Sequence, residues 1–251
     1  MNRLQDKVTI ITGAGAGMGK QMAFLFAKEG AKVIATDINM ENLEAVKAQI
    51  EADGGNVVIG ECNIASEADV DATFKMAVDT HGRVDSLINN AGIMDKFDPI
   101  ADVENSMWER IISVDLSGNF YTMRAACRQF LTQESRGNIV NIGSAAAVAG
   151  GRAGAAYTAA KHGMVGLTKN TAHMYANVGI RCNMIAPGST ATEISAGWDI
   201  SSFSELAQER VFGVFDGLKP RRAEAWEIAT LTLFLASDEA KAINGAISLL
   251  L

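Results

Sequence analysis

The chain has 251 residues, of which 48% are hydrophobic and 20% are charged, a composition that suits one large globular domain with a substantial core. Its formal net charge is −7 and no block of lysine and arginine stands out, which argues against nucleic acid as a partner. It contains no apolar run of about 18 residues and no secretory signal at its start. We therefore expect a cytoplasmic protein without a membrane partner, folded as a single domain over residues 1–251.

The three cysteines, Cys62, Cys127 and Cys182, lie far apart in the sequence and match no metal-binding or redox spacing. The histidines show no ligand spacing either, so the sequence predicts no metal site. We expect the cysteines to be small buried residues in a reducing compartment.

Short apolar, β-branched runs alternate with longer stretches of helical periodicity along the chain. The predicted strands are Lys7–Thr12, Lys32–Thr36, Asn56–Glu61, Val84–Asn89, Gly137–Gly143, Ile180–Ala186 and Ala246–Leu250. The predicted helices lie near residues 18–29, 40–53, 66–81, 105–133, 156–177 and 223–236. This alternation is typical of an α/β fold, a Rossmann-type doubly wound parallel sheet of about seven strands with helices on both faces.

Residues 188–222 interrupt this alternation with scattered glycines and aromatic side chains. A long insertion after the carboxyl end of a strand, in this type of fold, tends to cover the ligand crevice. We predict that residues 188–222 form a substrate lid. The alternative is an ordinary surface subdomain of short helices.

Glycines dominate the turn that follows the first predicted strand. The sequence Thr12–Gly19 (TGAGAGMG) leads directly from that strand into the first predicted helix. Such glycines let the backbone turn sharply and approach a diphosphate closely, while the helix N-terminus presents free N–H groups and the positive end of its dipole. The strand–turn–helix context therefore predicts a dinucleotide-binding site.

Asp37 ends the second apolar run, where a carboxylate can accept hydrogen bonds from both hydroxyls of the adenosine ribose. Its charge repels a 2′-phosphate, and the next residue, Ile38, is not an arginine that would hold one. This favours NAD(H) over NADP(H). The alternative interpretation is that Asp37 only caps a helix that starts near Met40.

Tyr157 and Lys161 are four residues apart, so a helix places the phenol and the ammonium on one face. A lysine beside a tyrosine favours the phenolate, and we expect it to lower the pKa of Tyr157 so that the phenol exchanges a proton near neutral pH. Ser144, just past the fifth predicted strand, is placed to hold a substrate oxygen. A Tyr-x-x-x-Lys spacing is also common on amphipathic helices, so it gains weight from the nucleotide-binding features before it.

Over nearly its whole length, the chain resembles the classical short-chain dehydrogenases/reductases. Gly13, Gly17 and Gly19 have the spacing of that family's glycine-rich turn, and Asn89–Gly92 (NNAG) is similar to its second signature. Any one of these motifs is weak evidence, but several in the correct order make a strong match.

The catalytic motifs extend this resemblance into the second half of the chain. Ser144, Tyr157 and Lys161 match the family's catalytic serine, tyrosine and lysine in order and spacing. The dipeptide Pro187-Gly188, with Thr192 beyond it, looks like the segment that holds the nicotinamide carboxamide.

The resemblance implies an NAD(H)-dependent oxidoreductase that interconverts a secondary alcohol and a ketone by hydride transfer. In that family Ser144 would hold the substrate oxygen, Tyr157 would exchange its proton, and Lys161 would bind the nicotinamide ribose and depress the pKa of the tyrosine. The implied partners are a small-molecule alcohol or ketone and further copies of the chain in a homo-oligomer, either a dimer or a tetramer. The predicted cofactor contacts are Gly13, Gly17, Met18, Gly19, Asp37, Ile38, Asn63, Ile64, Asn90, Ala91, Gly92, Tyr157, Lys161, Pro187, Gly188, Thr190 and Thr192.

Three departures from the family bear on the site and the assembly. Asp115 stands where the family has a catalytic asparagine, which kinks a long helix and anchors a water through its carbonyl. A backbone role can survive this change, or the carboxylate can instead pair with Lys161 and weaken its effect on Tyr157. Asn63 replaces an acid that contacts adenine. The sequence ends in INGAISLLL rather than in the family's glycine-rich segment, which puts the usual tetramer in doubt.

The sequence leaves other functions open. A non-catalytic NAD(H)-binding sensor would account for Asp115, although an intact serine, tyrosine and lysine argues against it. A 3-oxoacyl thioester reductase would need a basic patch for a carrier protein, and Arg124, Arg128 and Lys169 are only scattered candidates. A sugar-nucleotide epimerase of the extended family would need a longer substrate domain.

Overall fold

The computed structural model describes residues 2–191, 203–212 and 222–250. In chain order its strands are β1 (Val8–Thr12), β2 (Lys32–Asp37), β3 (Asn56–Glu61), β4 (Ser86–Asn89), β5 (Asn138–Ile142), β6 (Arg181–Pro187), β7 (Thr190–Ala191), β8 (Ala223–Glu224) and β9 (Ile247–Leu250). Its α-helices are α1 (Gly17–Lys28), α2 (Met40–Ala52), α3 (Glu67–His81), α4 (Asn105–Ile111), α5 (Asn119–Leu131), α6 (Ala155–Met174), α7 (Glu205–Ala207) and α8 (Ala225–Ala236). Short 3₁₀ turns cover Ala145–Ala147, Ala176–Val178 and Asp238–Ala240, and π-helical turns cover Ile112–Gly118 and Gln208–Phe212.

Seven parallel strands form the central sheet in the order β3-β2-β1-β4-β5-β6-β9, and β7 pairs separately with β8. The predicted doubly wound parallel sheet is therefore confirmed. The strand bounds agree with the predicted ones to within two residues, the largest difference being that β4 begins at Ser86 rather than Val84. The order reverses between β1 and β4, and such a switch point opens a crevice at the carboxyl ends of the strands.

Apolar side chains cover both faces of the sheet. Ile10 and Ile11 are neighbours in β1 and are both fully buried, but they belong to different apolar clusters because successive side chains of a strand point to opposite faces. Phe26 of α1 and Leu233 of α8 lie in the cluster of Ile11, whereas Phe130 of α5 lies in that of Ile10. Burial on both faces explains why the strands are apolar throughout.

The three cysteines are buried and form no disulfide, as predicted. Burial raises the pKa of the Cys127 thiol to about 11 and also raises the pKa of Cys182. These thiols therefore serve packing rather than nucleophilic chemistry.

Two predictions need correction or completion. The helix expected over residues 105–133 is interrupted, because the π-helical turn Ile112–Gly118 separates α4 from α5. Most of the predicted lid lies outside the described residues.

Within the part of the chain that the structure describes, no helix is both long and apolar enough to span a bilayer.

Candidate active site

The predicted site residues gather at one edge of the sheet. In a parallel sheet the carboxyl ends of all strands meet at the same edge. The glycine turn follows β1, Asp37 ends β2, Asn90 follows β4, Ser144 follows β5 and Pro187 ends β6. Residues far apart in the sequence are therefore brought to one crevice.

The turn between β1 and α1 leaves no room for a side chain at two of its glycines. Gly13 has a φ of +64°, a left-handed conformation that favours glycine. A Cβ added at Gly19 would overlap the carbonyl oxygen of Gly13 and lie 2.6 Å from Nδ2 of Asn90. The turn can adopt this path only because both positions lack a side chain.

Asn90 braces this turn from the neighbouring strand. Its Nδ2 donates to the carbonyl oxygens of Thr12 and Gly13, each at 3.0 Å, and its backbone N–H donates to the Thr12 hydroxyl at 3.1 Å. The backbone N–H of Ala91 donates to the same hydroxyl at 3.1 Å. The second signature, NNAG, thus holds the glycine turn in place.

Asp37 connects the glycine turn with the residue that caps α2. Its Oδ2 accepts from the N–H of Gly15 at 3.0 Å and its Oδ1 accepts from the N–H of Asn39 at 3.0 Å. The cap of α2 is Asn39, whose side chain accepts from the N–H of Asn42. The alternative reading of Asp37 as only a helix cap is therefore not supported.

These features fit a nucleoside diphosphate. The N-cap of α1, Ala16, offers no side chain to the first N–H groups of that helix, so they remain suited to an anion. The glycines leave room for close backbone approach, and Asp37 places a carboxylate beside them. Contact with a cofactor stays a prediction for each of these residues.

The other predicted cofactor residues have different surroundings. Ile38 is 70% exposed beside Asp37, and Met18 lies against the core. The Asn63 side chain accepts from the N–H of Ala65 at 3.1 Å. Ile64 is buried, with both its side chain and its carbonyl group close to Gly118.

At the far side of the crevice the N–H of Gly188 donates to the carbonyl of Leu250 at 2.6 Å, and this continues the β6–β9 pairing past Pro187. The hydroxyl of Thr190 donates to the carbonyl of Gly188 at 3.2 Å. Thr192 lies outside the described residues.

Tyr157 and Lys161 lie one turn apart on α6, as their spacing predicts. The Lys161 Nζ is 5.1 Å from the centroid of the Tyr157 ring, and both side chains are buried. The Ser144 hydroxyl lies near the Tyr157 phenol and lowers its pKa, and the Ser144 Oγ accepts from the N–H of Ala146 at 3.1 Å. The structure therefore brings together the three side chains predicted to be catalytic.

Asp115 pairs with Lys161. Its Oδ1 lies 3.1 Å from Lys161 Nζ, and the carboxylate also accepts from the N–H of Ile93 at 3.2 and 3.3 Å. The two side chains of the pair are 0% and 3% exposed. A Cβ added at Gly92 would lie 2.5 Å from Asp115 Oδ1, so this glycine leaves room for the carboxylate.

The π-helical turn Ile112–Gly118 explains how Asp115 reaches this position. The Nδ2 of Asn119 donates to the carbonyl oxygen of Asp115 at 3.0 Å, which provides a side-chain partner where the helical ladder is widened. Such one-turn widenings occur frequently at functional sites. In this protein the widened turn contains Asp115, whose carboxylate meets Lys161 of α6.

Burial raises the pKa of the Tyr157 phenol more than the nearby Lys161 ammonium lowers it, and the Asp115 carboxylate adds to the increase. The expected net lowering is therefore wrong, although Lys161 acts in the expected direction. For Lys161, burial lowers the pKa, but Tyr157 and Asp115 raise it by more, so the net direction is upward. The ammonium stays charged at neutral pH.

Asp95 is a buried residue of the site that the sequence analysis missed. Its carboxylate accepts from three backbone N–H groups, those of Phe97 at 3.0 Å, Gly154 at 3.0 Å and Tyr157 at 2.9 Å. It thereby joins the segment after β4 to the first turn of α6. A Cβ at Gly154 would lie 2.5 Å from Asp95 Oδ2, so only a glycine at this position allows the carboxylate to approach so closely.

We expect Asp95→Ala to lower the free energy of unfolding by about 3 kcal/mol, because three buried N–H groups lose their acceptor. Urea denaturation measures this loss. Asp95→Asn, which keeps an oxygen acceptor of the same shape, should lose clearly less. Equal unfolding midpoints for Asp95→Ala and the wild type would contradict this role.

Apolar side chains line the approach to Tyr157. Phe97 and Phe203 stack with ring centroids 5.8 Å apart, and both belong to the apolar cluster that contains Tyr157. A groove of 570 Å³ lies beside the start of α6, lined in part by Phe97 and Ala153 of the same cluster and bordered by His162 and Leu206. Tyr157 and Ser144 do not line that groove, so it is not the place for the reacting atoms.

Comparisons with known proteins agree with this geometry. The family profile described as short chain dehydrogenase matches residues 7–201. The 3beta-hydroxysteroid dehydrogenase 2 of Eggerthella lenta is 39% identical over 242 residues, which cover 96% of this chain and 92% of that protein. Cyclohexanol dehydrogenase of Acinetobacter sp. (strain SE19) is 35% identical over 245 residues, with coverage of 98% and 93%.

Among solved structures, a short chain dehydrogenase from Mycobacterium paratuberculosis bound to NAD has a TM-score of 0.91 and 26% identity, and the match covers 99% of this chain and 97% of that one. A profile match over most of the chain and relatives of this similarity along nearly all of it lead to one conclusion: the chain belongs to the short-chain dehydrogenase/reductase family.

Proposed function

We propose that this chain is an NAD(H)-dependent oxidoreductase that interconverts a secondary alcohol and a ketone, with Ser144, Tyr157 and Lys161 as its catalytic residues. The observation that carries the proposal is the buried phenol of Tyr157 beside the Lys161 ammonium, with the Ser144 hydroxyl near enough to lower the pKa of the phenol. A positioned phenol of this kind can act as a general acid and base. The family relationship, with relatives named for alcohol and steroid substrates, supports the same reaction class.

In this proposal each residue has a distinct role. The Ser144 hydroxyl donates a hydrogen bond to the substrate oxygen. Tyr157 donates its phenolic proton to that oxygen when a ketone is reduced and takes the proton back when an alcohol is oxidised. The charge of Lys161 stabilises the phenolate that is left. A bound nicotinamide dinucleotide supplies the hydride donor or acceptor.

Asp37 is the basis for proposing NAD(H) rather than NADP(H). Its carboxylate lies at the glycine turn through its bond with Gly15, and the neighbouring Ile38 is exposed and uncharged. A negative charge there repels a 2′-phosphate and can accept hydrogen bonds from ribose hydroxyls.

We expect Asp37→Asn to reduce the preference for NADH over NADPH by about tenfold or more in the ratio of Kd values, a change worth about 1.4 kcal/mol. The asparagine removes the charge but keeps an acceptor for the N–H of Gly15. Asp37→Ala, which loses that acceptor as well, should also weaken NADH binding itself. Fluorescence titration with both cofactors measures these effects. A wild type that already prefers NADPH would contradict the assignment.

We propose an apolar cyclic alcohol or ketone as the substrate class. The cluster around Tyr157 consists of apolar side chains, including Phe97, Ala153 and Phe203. The Asp95 carboxylate, which bonds with the backbone of Phe97, is already occupied by three N–H groups. Such walls suit a ring skeleton whose one polar atom meets Ser144 and Tyr157.

A turnover assay tests the proposed function. The purified protein is incubated with NAD⁺ and, separately, with cyclohexanol, a 3β-hydroxysteroid and a sugar alcohol of similar size, and NADH formation is followed. We expect the cyclic apolar alcohols to react with the higher kcat/KM. Turnover of the sugar alcohol alone would overturn the substrate class, and no turnover of any alcohol or ketone would overturn the enzyme assignment.

The second candidate is a non-catalytic NAD(H) sensor. The ion pair between Asp115 and Lys161 is the observation that favours it, because a paired ammonium stabilises a neighbouring phenolate less. Tight NADH binding together with no reaction across the panel is the outcome that distinguishes the sensor from the enzyme.

A further inference from the structure

Three buried ionisable side chains, those of Asp115, Lys161 and Tyr157, lie close together in the site. Lys161 Nζ lies 3.1 Å from the Asp115 carboxylate on one side and 5.1 Å from the centroid of the Tyr157 ring on the other. The three side chains are between 0% and 6% exposed. Water screens interactions among such groups weakly, so the charge of each one affects the others strongly.

Asp115 is held where it stands by contacts that an asparagine could keep only in part. The N–H of Ile93 donates to the carboxylate, and the absence of a side chain at Gly92 leaves it room. An amide at position 115 has the same shape and can accept from the N–H of Ile93, but it carries no charge to balance Lys161. The distinctive contribution of the aspartate is therefore its charge.

We propose that Asp115 is a positioning residue whose carboxylate pairs with the Lys161 ammonium and partly balances its charge. As a result, Tyr157 titrates at a higher pH than it would with a neutral residue at position 115. This inference rests on the proposed function for its effect on turnover, but the coupling itself is a property of the protein alone. The carboxylate fixes the ammonium between the segment after β4 and the phenol, and it opposes formation of a second negative charge on Tyr157.

The other groups that face Tyr157 act in known directions. Ser144, from the segment after β5, lowers the pKa of the phenol, and Asp95, from the segment after β4, raises it. Lys161, on the same helix, lowers it, and Asp115 opposes Lys161. Of these four residues, Asp115 is the acidic one that contacts Lys161 directly. Burial raises the pKa of the Asp115 carboxyl, and the Lys161 ammonium opposes that increase.

The test compares Asp115→Asn with the wild type by titrating Tyr157 in the protein without cofactor or substrate. The chain has three tyrosines, so the same titration in Tyr157→Phe identifies the signal of residue 157. Tyrosinate absorbance follows the titration, and circular dichroism at each pH verifies that the fold persists. We expect Asp115→Asn to lower the midpoint of Tyr157 by about one pH unit or more.

The second readout is the pH profile of alcohol oxidation. Oxidation needs the phenolate as base, so kcat/KM rises as pH passes through the pKa of Tyr157. Asp115→Asn should move this rising limb to lower pH by the same amount as the titration midpoint. If Asp115 had only a structural role, its substitution would change kcat/KM without shifting the rising part of the pH profile.

An unchanged or higher midpoint in Asp115→Asn would overturn the proposal. Should that variant fail to fold, Asp115→Ser removes the same charge with a smaller side chain, and the same two results decide. A lowered midpoint with a pH profile that does not move would support the coupling and would instead overturn the assignment of Tyr157 as the catalytic base. Failure of the inference and failure of the proposed function are thus distinguishable.

Discussion

Tyr157→Phe is expected to lower kcat/KM for alcohol oxidation and ketone reduction by roughly 10²–10⁴-fold, the usual contribution of a positioned acid or base. The substitution removes only the hydroxyl from a ring that is 6% exposed, so the packing against Phe97 and Phe203 should persist. The Lys161 ammonium remains paired with Asp115, so no buried charge is left without a partner. Cofactor binding should therefore change little while the proton transfer is lost.

Steady-state kinetics and NADH fluorescence titration measure the two parts of this prediction. Tyr175→Phe is the matched control, because that phenol lies just beyond the end of α6, away from Ser144 and Lys161. It should retain wild-type turnover. Unchanged activity in Tyr157→Phe would remove the phenol from its role, and loss of activity accompanied by loss of NADH binding would point to a structural effect.

The second large effect is expected at the glycine turn. Gly19→Ala should weaken NADH binding by about 100-fold or more, equivalent to roughly 2.7 kcal/mol. Its Cβ would overlap the Gly13 carbonyl oxygen and crowd the Asn90 amide. Because a backbone atom is involved, the clash can be relieved only by moving the turn itself, which displaces the N–H groups at the start of α1.

Gly150→Ala is the control for this substitution, because a Cβ at Gly150 meets nothing within 4 Å. Isothermal titration calorimetry with NADH compares the two variants with the wild type. Gly150→Ala should bind NADH like the wild type. If Gly19→Ala also bound it normally, the turn after β1 would not be the place where the diphosphate rests.

The fold was predictable from the sequence because the strand pattern and the helix pattern both indicated the same architecture. Doubly buried strands such as VTIIT are apolar on both faces, and each is followed by a stretch of helical periodicity. Site residues such as Asp37 and Ser144 lie at or just past the ends of such strands, and a parallel sheet places them at one edge. Proximity in space thus followed from position relative to strand ends.

Two features of the site, the contacts of Asp95 and the π-helical turn, leave no pattern in the local sequence. Asp95 bonds with Gly154 and Tyr157, which are 59 and 62 residues away, and no local spacing indicates such a contact. The π-helical turn contains a local bond between Asn119 and the Asp115 carbonyl, and helical periodicity does not register one widened turn.

The net direction of the Tyr157 pKa was mispredicted for a related reason. The spacing of Tyr157 and Lys161 indicates a charge interaction, and that interaction has the expected sign. The extent of burial and the position of Asp115 are properties of the tertiary structure, and together they outweigh it. A motif thus identified the interacting groups but not the balance among them.

The measurement that tests the central claim most directly is isotope transfer to cyclohexanone from NADH in which both hydrogens at C4 are replaced by deuterium. The account predicts that the wild type delivers deuterium to the carbinol carbon of the cyclohexanol formed, as detected by mass spectrometry, and that Tyr157→Phe, with NADH still bound, delivers it at least about 100-fold more slowly. Bound NADH that transfers no deuterium to any cyclic ketone, or equal transfer rates in the two proteins, would contradict it.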